Sequence, residues 1–231
     1  YGVVYGDQEG AAEWKNTLST GLKEIGFIEC MNAESVYYHA EWGIRIGINV
    51  DDPLITFDKR MRNWKAIRDR FMKLLDDKFV LKGWTQLLPD VELDYLSMHI
   101  TASEAGSIRI DNARAAIKLL AKYNMSDCNA TQRPLTRDLL ALMEAEKGSG
   151  LLTDGEGQLR HQGAMGDFGW LGQTTHPGMS VCTSMLASFN AKTPQSFDKA
   201  IKMCLRWLKG TIGFGLVADV DNNSGSEWTV D

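Results

Sequence analysis

Little in this 231-residue chain points to a disulfide or zinc framework. It has only four cysteines, Cys30, Cys128, Cys182 and Cys204. They lie far apart with no paired short spacing, which speaks against a zinc ribbon or a dense disulfide scaffold. Scattered buried thiols in a reducing compartment are the plainer expectation. The four histidines are equally dispersed, and none is assigned to a metal. No apolar run approaches the roughly 20 residues needed to cross a bilayer, and no signal-peptide pattern is visible. A soluble, intracellular chain without a membrane span is expected, with its compartment left open. Positive charge is in deficit: 25 Lys and Arg face 30 Asp and Glu, for a net charge of −5. The surface as a whole is therefore no general attractor of nucleic acid, and any such contact must come from a local basic stripe.

What is present is the composition of an ordinary globular protein, 44% hydrophobic and 24% charged, long enough for one large core or two smaller ones. Trp14, Leu18, Leu22 and Ile25 recur at helical spacing and predict a helix from Glu9 to Ile25, ended by Gly26. Strands are expected over Ser35–His39, Gly43–Val50 and Leu54–Phe57, with Ala40–Glu41–Trp42 as one turn and Asp51–Asp52–Pro53 as the tip of a second hairpin. A long amphipathic helix is expected from Arg60 to Phe79, striped by Met61, Trp64, Ile67, Phe71, Leu74 and Leu75. Short strands near Tyr95–Thr101 and Ile108 precede a helix capped by Asp111, with Ala113, Ala116, Ile117 and Leu120 inward. Ser126–Arg133 reads as a loop and Thr136–Lys147 as a helix. Gly148–Ser149–Gly150 and Gly155–Gly157 read as a flexible domain join. One helix follows Pro177 and carries Met179, Cys182, Leu186 and Phe189. Another opens at Thr193–Pro194 and carries Phe197, Ile201, Cys204, Leu205 and Leu208, with Gly210 as its stop. Phe214–Val220 is a last strand. No internal repeat or low-complexity tract is present.

Two features carry chemistry. Adjacent carboxylates at a hairpin tip, Asp51 and Asp52, suit hard divalent cations, and two such cations can hold the attacking and leaving oxygens of nucleotidyl transfer. An Asp-rich turn with no metal is the alternative, and Asp76–Asp77 shows that the dipeptide alone is not specific. The second feature is a run of cations, Lys59, Arg60, Arg62, Lys65, Arg68, Arg70 and Lys73, which could lie along a phosphate backbone or form the solvated face of an amphipathic helix. Trp42 and Trp84, in expected turns or loops, suit a partner surface, whereas Trp14, Trp64 and Trp207 fall on or near apolar stripes.

The order of several short motifs resembles copia-type retrotransposon reverse transcriptases. Gly47–Ile48–Asn49–Val50–Asp51–Asp52–Pro53–Leu54–Ile55 resembles the Tyr-Val-Asp-Asp box with its flanking strands. Before it, Val4–Tyr5–Gly6 and Trp14–Lys15–Asn16–Thr17–Leu18 resemble the Leu-Tyr-Gly-Leu-Lys-Gln…Ala-Trp motif, and Leu22–Lys23–Glu24–Ile25–Gly26–Phe27 continues the match. After it, Asp94–Tyr95–Leu96–Ser97–Met98–His99–Ile100 is similar to Tyr-Phe-Leu-Gly-Ile-Glu-Ile, Ile117–Met125 to the helix before Gly-Met, and Thr131–Leu135 to Thr-Pro-Leu. Thr175–His176–Pro177–Gly178–Met179 resembles Thr-Arg-Pro-Asp-Ile, and Leu205–Arg206–Trp207–Leu208–Lys209–Gly210–Thr211 resembles Leu-Arg-Tyr-Leu-Lys-Gly-Thr.

The resemblance spans Val4 to Val220. It implies an α+β fold: a partial palm sheet with helices over 1–80, the end of the palm and a mainly helical thumb over 81–147, and an α/β connection region over 148–231. That last part would hold the truncated start of a ribonuclease H-like domain at Asp219 and Asp221. It also implies RNA-directed DNA polymerase chemistry, with Asp51 and Asp52 as catalytic magnesium ligands and RNA or an RNA/DNA hybrid held by Arg60, Arg62, Lys65, Arg68 and Lys73.

The departures bear on activity. The family's third metal-binding Asp lies upstream of the Leu-Tyr-Gly motif, almost where these residues start, and two carboxylates alone leave a pair of ions under-coordinated. Asn49 replaces the family's Tyr, and Pro53 removes a backbone donor and restricts Asp52. Gln8–Glu9 replaces Lys-Gln and Ala11–Ala12 replaces Pro-Arg, which weakens the grip on phosphates. Only ten residues follow Asp221, so this acid and Asp219 are expected to be strand-end groups. Two functions follow. One is a catalytically inactive, domesticated fragment acting as a structural or binding subunit of a larger assembly. The other is the carboxy-terminal part of an active polymerase completed by an upstream segment, with Mg2+ as its cofactor.

Overall fold

A computed structural model describes residues 8–50, 52–79, 83–89, 91–218 and 228–230, with backbone alone for 8–11 and 228–230. Helices and antiparallel sheets make an α+β protein that divides into two compact units, 1–84 and 85–231.

In the first unit, α1 (Gln8–Ile25) is followed by β1 (Ile28–Glu29), β2 (Val36–His39), β3 (Ile44–Asn49), β4 (Asp52–Phe57) and α2 (Trp64–Lys78). Gly26 stops α1 as expected. At φ 105° it turns the chain so that its N–H reaches Lys23 O (3.0 Å) and Phe27 N–H reaches Leu22 O (3.1 Å), the paired bonds of a helix C-cap that only glycine adopts without strain. The four strands form an antiparallel meander in sequence order. Alternation sets the faces: Tyr37, His39, Ile44 and Ile46 point inward, while Tyr38 and Arg45 point out. The inner face packs with Leu18, Leu22 and Phe27, and with Phe71, Leu75 and Phe79 from the long helix. Register pairs Ile48 with Pro53, and β4 is the edge strand. A proline lacking an N–H is tolerated at such an edge.

The second unit begins with β5 (Leu93–Tyr95), β6 (Met98–Ala102) and β7 (Ile108–Asp111). Helices α3 (Ala113–Lys122), α4 (Arg137–Ser149), α5 (Gly155–Thr174), α6 (Pro177–Ala187) and α7 (Phe197–Gly210) follow, then β8 (Gly215–Ala218) and β9 (Trp228–Val230). Its five strands also pair antiparallel in sequence order. The expected strand over Tyr95–Thr101 is a tight hairpin instead. Leu96 and Ser97 both have positive φ, 51° and 64°, the conformation of a two-residue connection that normally recruits Asn or Gly.

The expected flexible join at 148–157 is ordered helix end and helix start. Gly150 is a left-handed C-cap for α4, and Asp154 caps α5 by accepting from Gly157 N–H at 2.7 Å. The 20-residue α5 has no counterpart in the sequence reading, because its glycines disrupt the expected pattern. They serve packing: a Cβ on Gly172 would stand 2.6 Å from the Ser180 backbone nitrogen and 2.9 Å from its Cα. A glycine there lets α5 and α6 approach at backbone distance. The core gathers Ala116, Leu119 and Leu120, Met143, Phe168 and Leu171, Met179, Cys182 and Leu186, and the whole Phe197–Leu208 stripe. Ile117, expected inward, is 53% exposed, and Leu119 takes its place. α7 starts three residues after the expected Pro194, which bridges instead to Leu152. No helix among the described residues is long and apolar enough to cross a membrane.

Candidate functional site

The acidic turn is only partly visible. Asp52 is exposed and opens β4 opposite Asn49, whereas Asp51 lies outside the described residues, as do Asp219 and Asp221. Val50, just before the pair, sits at φ 54° and is exposed. Its carbonyl accepts the indole N–H of Trp14 at 2.9 Å, so the first helix braces the approach to the turn. Trp14 also meets Phe79 edge-on, with centroids 5.8 Å apart. The described residues contain no group of three His, Cys, Asp or Glu side chains able to hold a metal ion.

The basic run is described throughout, and the structure sorts its members. Arg60 and Arg62 precede α2 and so do not lie on it. Arg60 is taken internally: its Nε and one terminal nitrogen donate to Asp58 at 2.9 and 2.7 Å, and its backbone N–H donates to the same carboxylate at 3.0 Å. These bonds from Arg60, with a further contribution from Arg45, hold the Asp58 carboxyl down at about 2. Arg68 donates through two nitrogens to one oxygen of Asp69, at 2.9 and 2.8 Å. Arg62 and Lys73 are exposed and make no ion pair among the described residues.

Three cations meet at one side chain. Lys59 Nζ and Lys65 Nζ each lie 5.8 Å from the Trp64 ring centroid, and the Arg68 guanidinium lies 5.5 Å from it. Trp64, read from its stripe as a core residue, is half-buried and serves as a platform for charge. Trp42, expected to suit a partner surface, is half-buried: His39 stacks on it at 4.2 Å with planes 6° apart, and Arg70 lies 5.2 Å from its ring centroid. Trp84 remains 39% exposed. From 58 to 73 there are seven Lys or Arg and two Asp, a local net charge of +5 within a chain of net charge −5. Sequence reasoning missed Trp64 and Asp58. Lys65 next to Trp64, and Asp58 two residues before Arg60, were the signals available.

Two histidines of the second unit are buried. His176 is 1% exposed, with Nε2 3.0 Å from Thr211 O and Nδ1 3.2 Å from Thr175 Oγ1. His161 is fully buried, with Nε2 3.1 Å from Leu186 O. Burial lowers the pKa of both imidazoles below the usual histidine value, partly offset by these carbonyl bonds. Neither sits in a metal-binding group among the described residues.

No family model matches the sequence, and no solved structure matches it. One curated relative is the retrovirus-related Pol polyprotein from transposon RE1 of Arabidopsis thaliana. It is 23% identical over 239 aligned residues, which cover 99% of this chain and 15% of that polyprotein. The chain is thus similar, along nearly its whole length, to a small part of a retrotransposon Pol polyprotein.

Proposed function

We propose that this chain is a Pol-derived nucleic-acid-binding protein that takes RNA or an RNA/DNA hybrid on the basic face at 59–73 and does not extend primers by itself. The first unit would correspond to part of a reverse-transcriptase palm, and the second to thumb and connection. The observation that carries the reading is the segregation of charge. A net +5 between 58 and 73 within an acidic chain is an electrostatic footprint for phosphates. The similarity to a Pol polyprotein makes nucleic acid the polyanion to test first. Asn49 beside the acidic pair and Pro53 behind it are departures from the polymerase box. They support a structural or binding subunit of a larger assembly over an enzyme.

The second reading, part of an active polymerase completed by residues upstream and using Mg2+, draws on one observation. The Trp14 bond to Val50 O keeps the approach to Asp51–Asp52 braced.

Both are tested with the full chain. Binding to a labelled RNA/DNA hybrid should weaken steeply as salt rises. The Arg62→Glu/Lys65→Glu/Lys73→Glu variant should lose at least about tenfold in affinity. Primer extension with magnesium or manganese should be absent. Salt-independent binding unaffected by that variant, or robust extension by this chain alone, would overturn the first reading, and extension that appears only when upstream residues are supplied would establish the second.

A further inference from the structure

The Trp64 cluster has a property that a merely solvated helix face does not need. Lys59, Lys65 and Arg68 each lie within 5.8 Å of one ring centroid, so any two are separated by at most twice that distance. That upper bound is longer than the roughly 8 Å screening length at physiological salt, so the three like charges repel most strongly at low salt. Only Arg68 has a carboxylate, Asp69, within ion-pair distance. Lys59 and Lys65 are exposed and have none among the described residues. Cation–π attraction at an exposed site is worth only about 0.5–1 kcal/mol per cation, enough to orient the cations over the indole but not to neutralise them. Neighbouring Arg60 is held more fully: its guanidinium reaches both oxygens of the 23%-exposed Asp58 and its backbone N–H adds a third bond, whereas the two Arg68 bonds share one oxygen of the 66%-exposed Asp69.

Resting on the nucleic-acid reading above, we propose that Lys59, Lys65 and Arg68, gathered by Trp64, form a subsite for one backbone phosphate of a bound polynucleotide, and that Asp58 withholds Arg60 from it. A phosphate oxyanion seated among the three cations relieves their mutual repulsion and gains charge-assisted hydrogen bonds from two ammonium groups and a guanidinium. Trp64 acts as a positioning residue. Its ring holds cations drawn from the lead-in loop and from the first turn of α2 near one point, and takes no part in base readout. The contact is therefore indifferent to sequence.

The test uses the full chain and a fluorescein-labelled single-stranded oligothymidine, titrated by anisotropy at several salt concentrations. Lys59→Ala/Lys65→Ala should weaken binding about tenfold and flatten the logarithmic salt slope by about 0.7, the value for one lost phosphate contact on a single strand. Arg60→Ala should change affinity less than about twofold, whereas Asp58→Asn, which frees Arg60, should strengthen it. Trp64→Leu should weaken binding, and Trp64→Phe should restore most of it by keeping an aromatic platform. Exposed lysines of the other unit supply a control pair, Lys192→Ala/Lys199→Ala. If the unaltered chain binds and the Lys59/Lys65 variant matches that control, the subsite is wrong while the broader reading stands. If Arg60→Ala is as damaging as the double variant, the role given to Asp58 is wrong. If the unaltered chain binds an RNA/DNA hybrid but not the single strand, the subsite is wrong and the broader reading stands; if it binds neither at any salt, both fall.

Discussion

Both compact units carry ion pairs on their surfaces, and they differ in how many polar groups they bury. The first keeps its charge outside: the cations of 59–73 surround a small sheet-and-helix core built on Phe71 and Leu75. The second takes polar groups inside: His161, His176, Thr175, Thr193, Ser196 and Thr211 are all buried, among helices that approach at backbone distance. A charged exterior can be changed with little effect on folding, because surface substitutions away from special features are usually nearly neutral. A buried polar interior cannot, because each unpaired group carries a desolvation cost. Binding should therefore respond to change in the first unit, and stability to pH in the second.

The largest effects should come from emptying either core. Phe71 and Phe168 are both fully buried, so Phe71→Ala and Phe168→Ala should each cost about 3–5 kcal/mol. Each should shift mainly the unfolding of its own unit, as read by hydrogen exchange under denaturant. Equal loss of protection in both units would show that their cores are not separate. Next is Gly172→Ala, whose added carbon would press on the Ser180 backbone. Overpacking of this kind costs about 1–3 kcal/mol, and a urea midpoint unchanged from the parent would refute the close approach of α5 and α6.

The third effect is acid sensitivity. Burial lowers the folded pKa of His161 and His176 below the ordinary value of 6.5. Below that pH the unfolded chain takes up protons that the folded chain resists. The stabilisation is thus complete above about pH 6.5 and is lost as pH falls toward the folded values. Urea midpoints for the second unit should drop between pH 7.5 and 5. A flat profile would contradict the lowered pKa of these buried rings. The smallest effect belongs to Trp14→Phe, which removes the bond to Val50 O and alters the edge contact with Phe79. Loss of the bond should cost about 0.5–1 kcal/mol, read as a small drop in the urea midpoint of the first unit.

Much of this was legible in the sequence, where apolar spacing was regular. The Phe197–Leu208 stripe, Met179, Cys182 and Leu186, and Phe71 with Leu75 all lie where helical periodicity put them. Gly26 acts as the stop expected of it, and the helix expected from Thr136 begins there, with the Thr136 side chain accepting from Leu139 N–H at 3.3 Å. What stayed illegible was tertiary in origin. A glycine that admits a neighbouring backbone reads, without that neighbour, as a helix breaker, so α5 was hidden. Leu96 and Ser97 hold positive φ without the residues that usually announce it, so a hairpin looked like one strand. Within the candidate site, the basic run was plain in the sequence, but its sorting was not. That Asp58 occupies Arg60 and that Trp64 gathers three cations depend on side-chain geometry that one-dimensional spacing does not encode.

The most direct test of the central claim is hydrogen–deuterium exchange on the full chain with and without a saturating RNA/DNA hybrid at low salt. Added protection should concentrate at 59–73, leave the Phe197–Gly210 helix unchanged, and vanish as salt is raised. Protection confined to the second unit, with 59–73 untouched, would contradict the account.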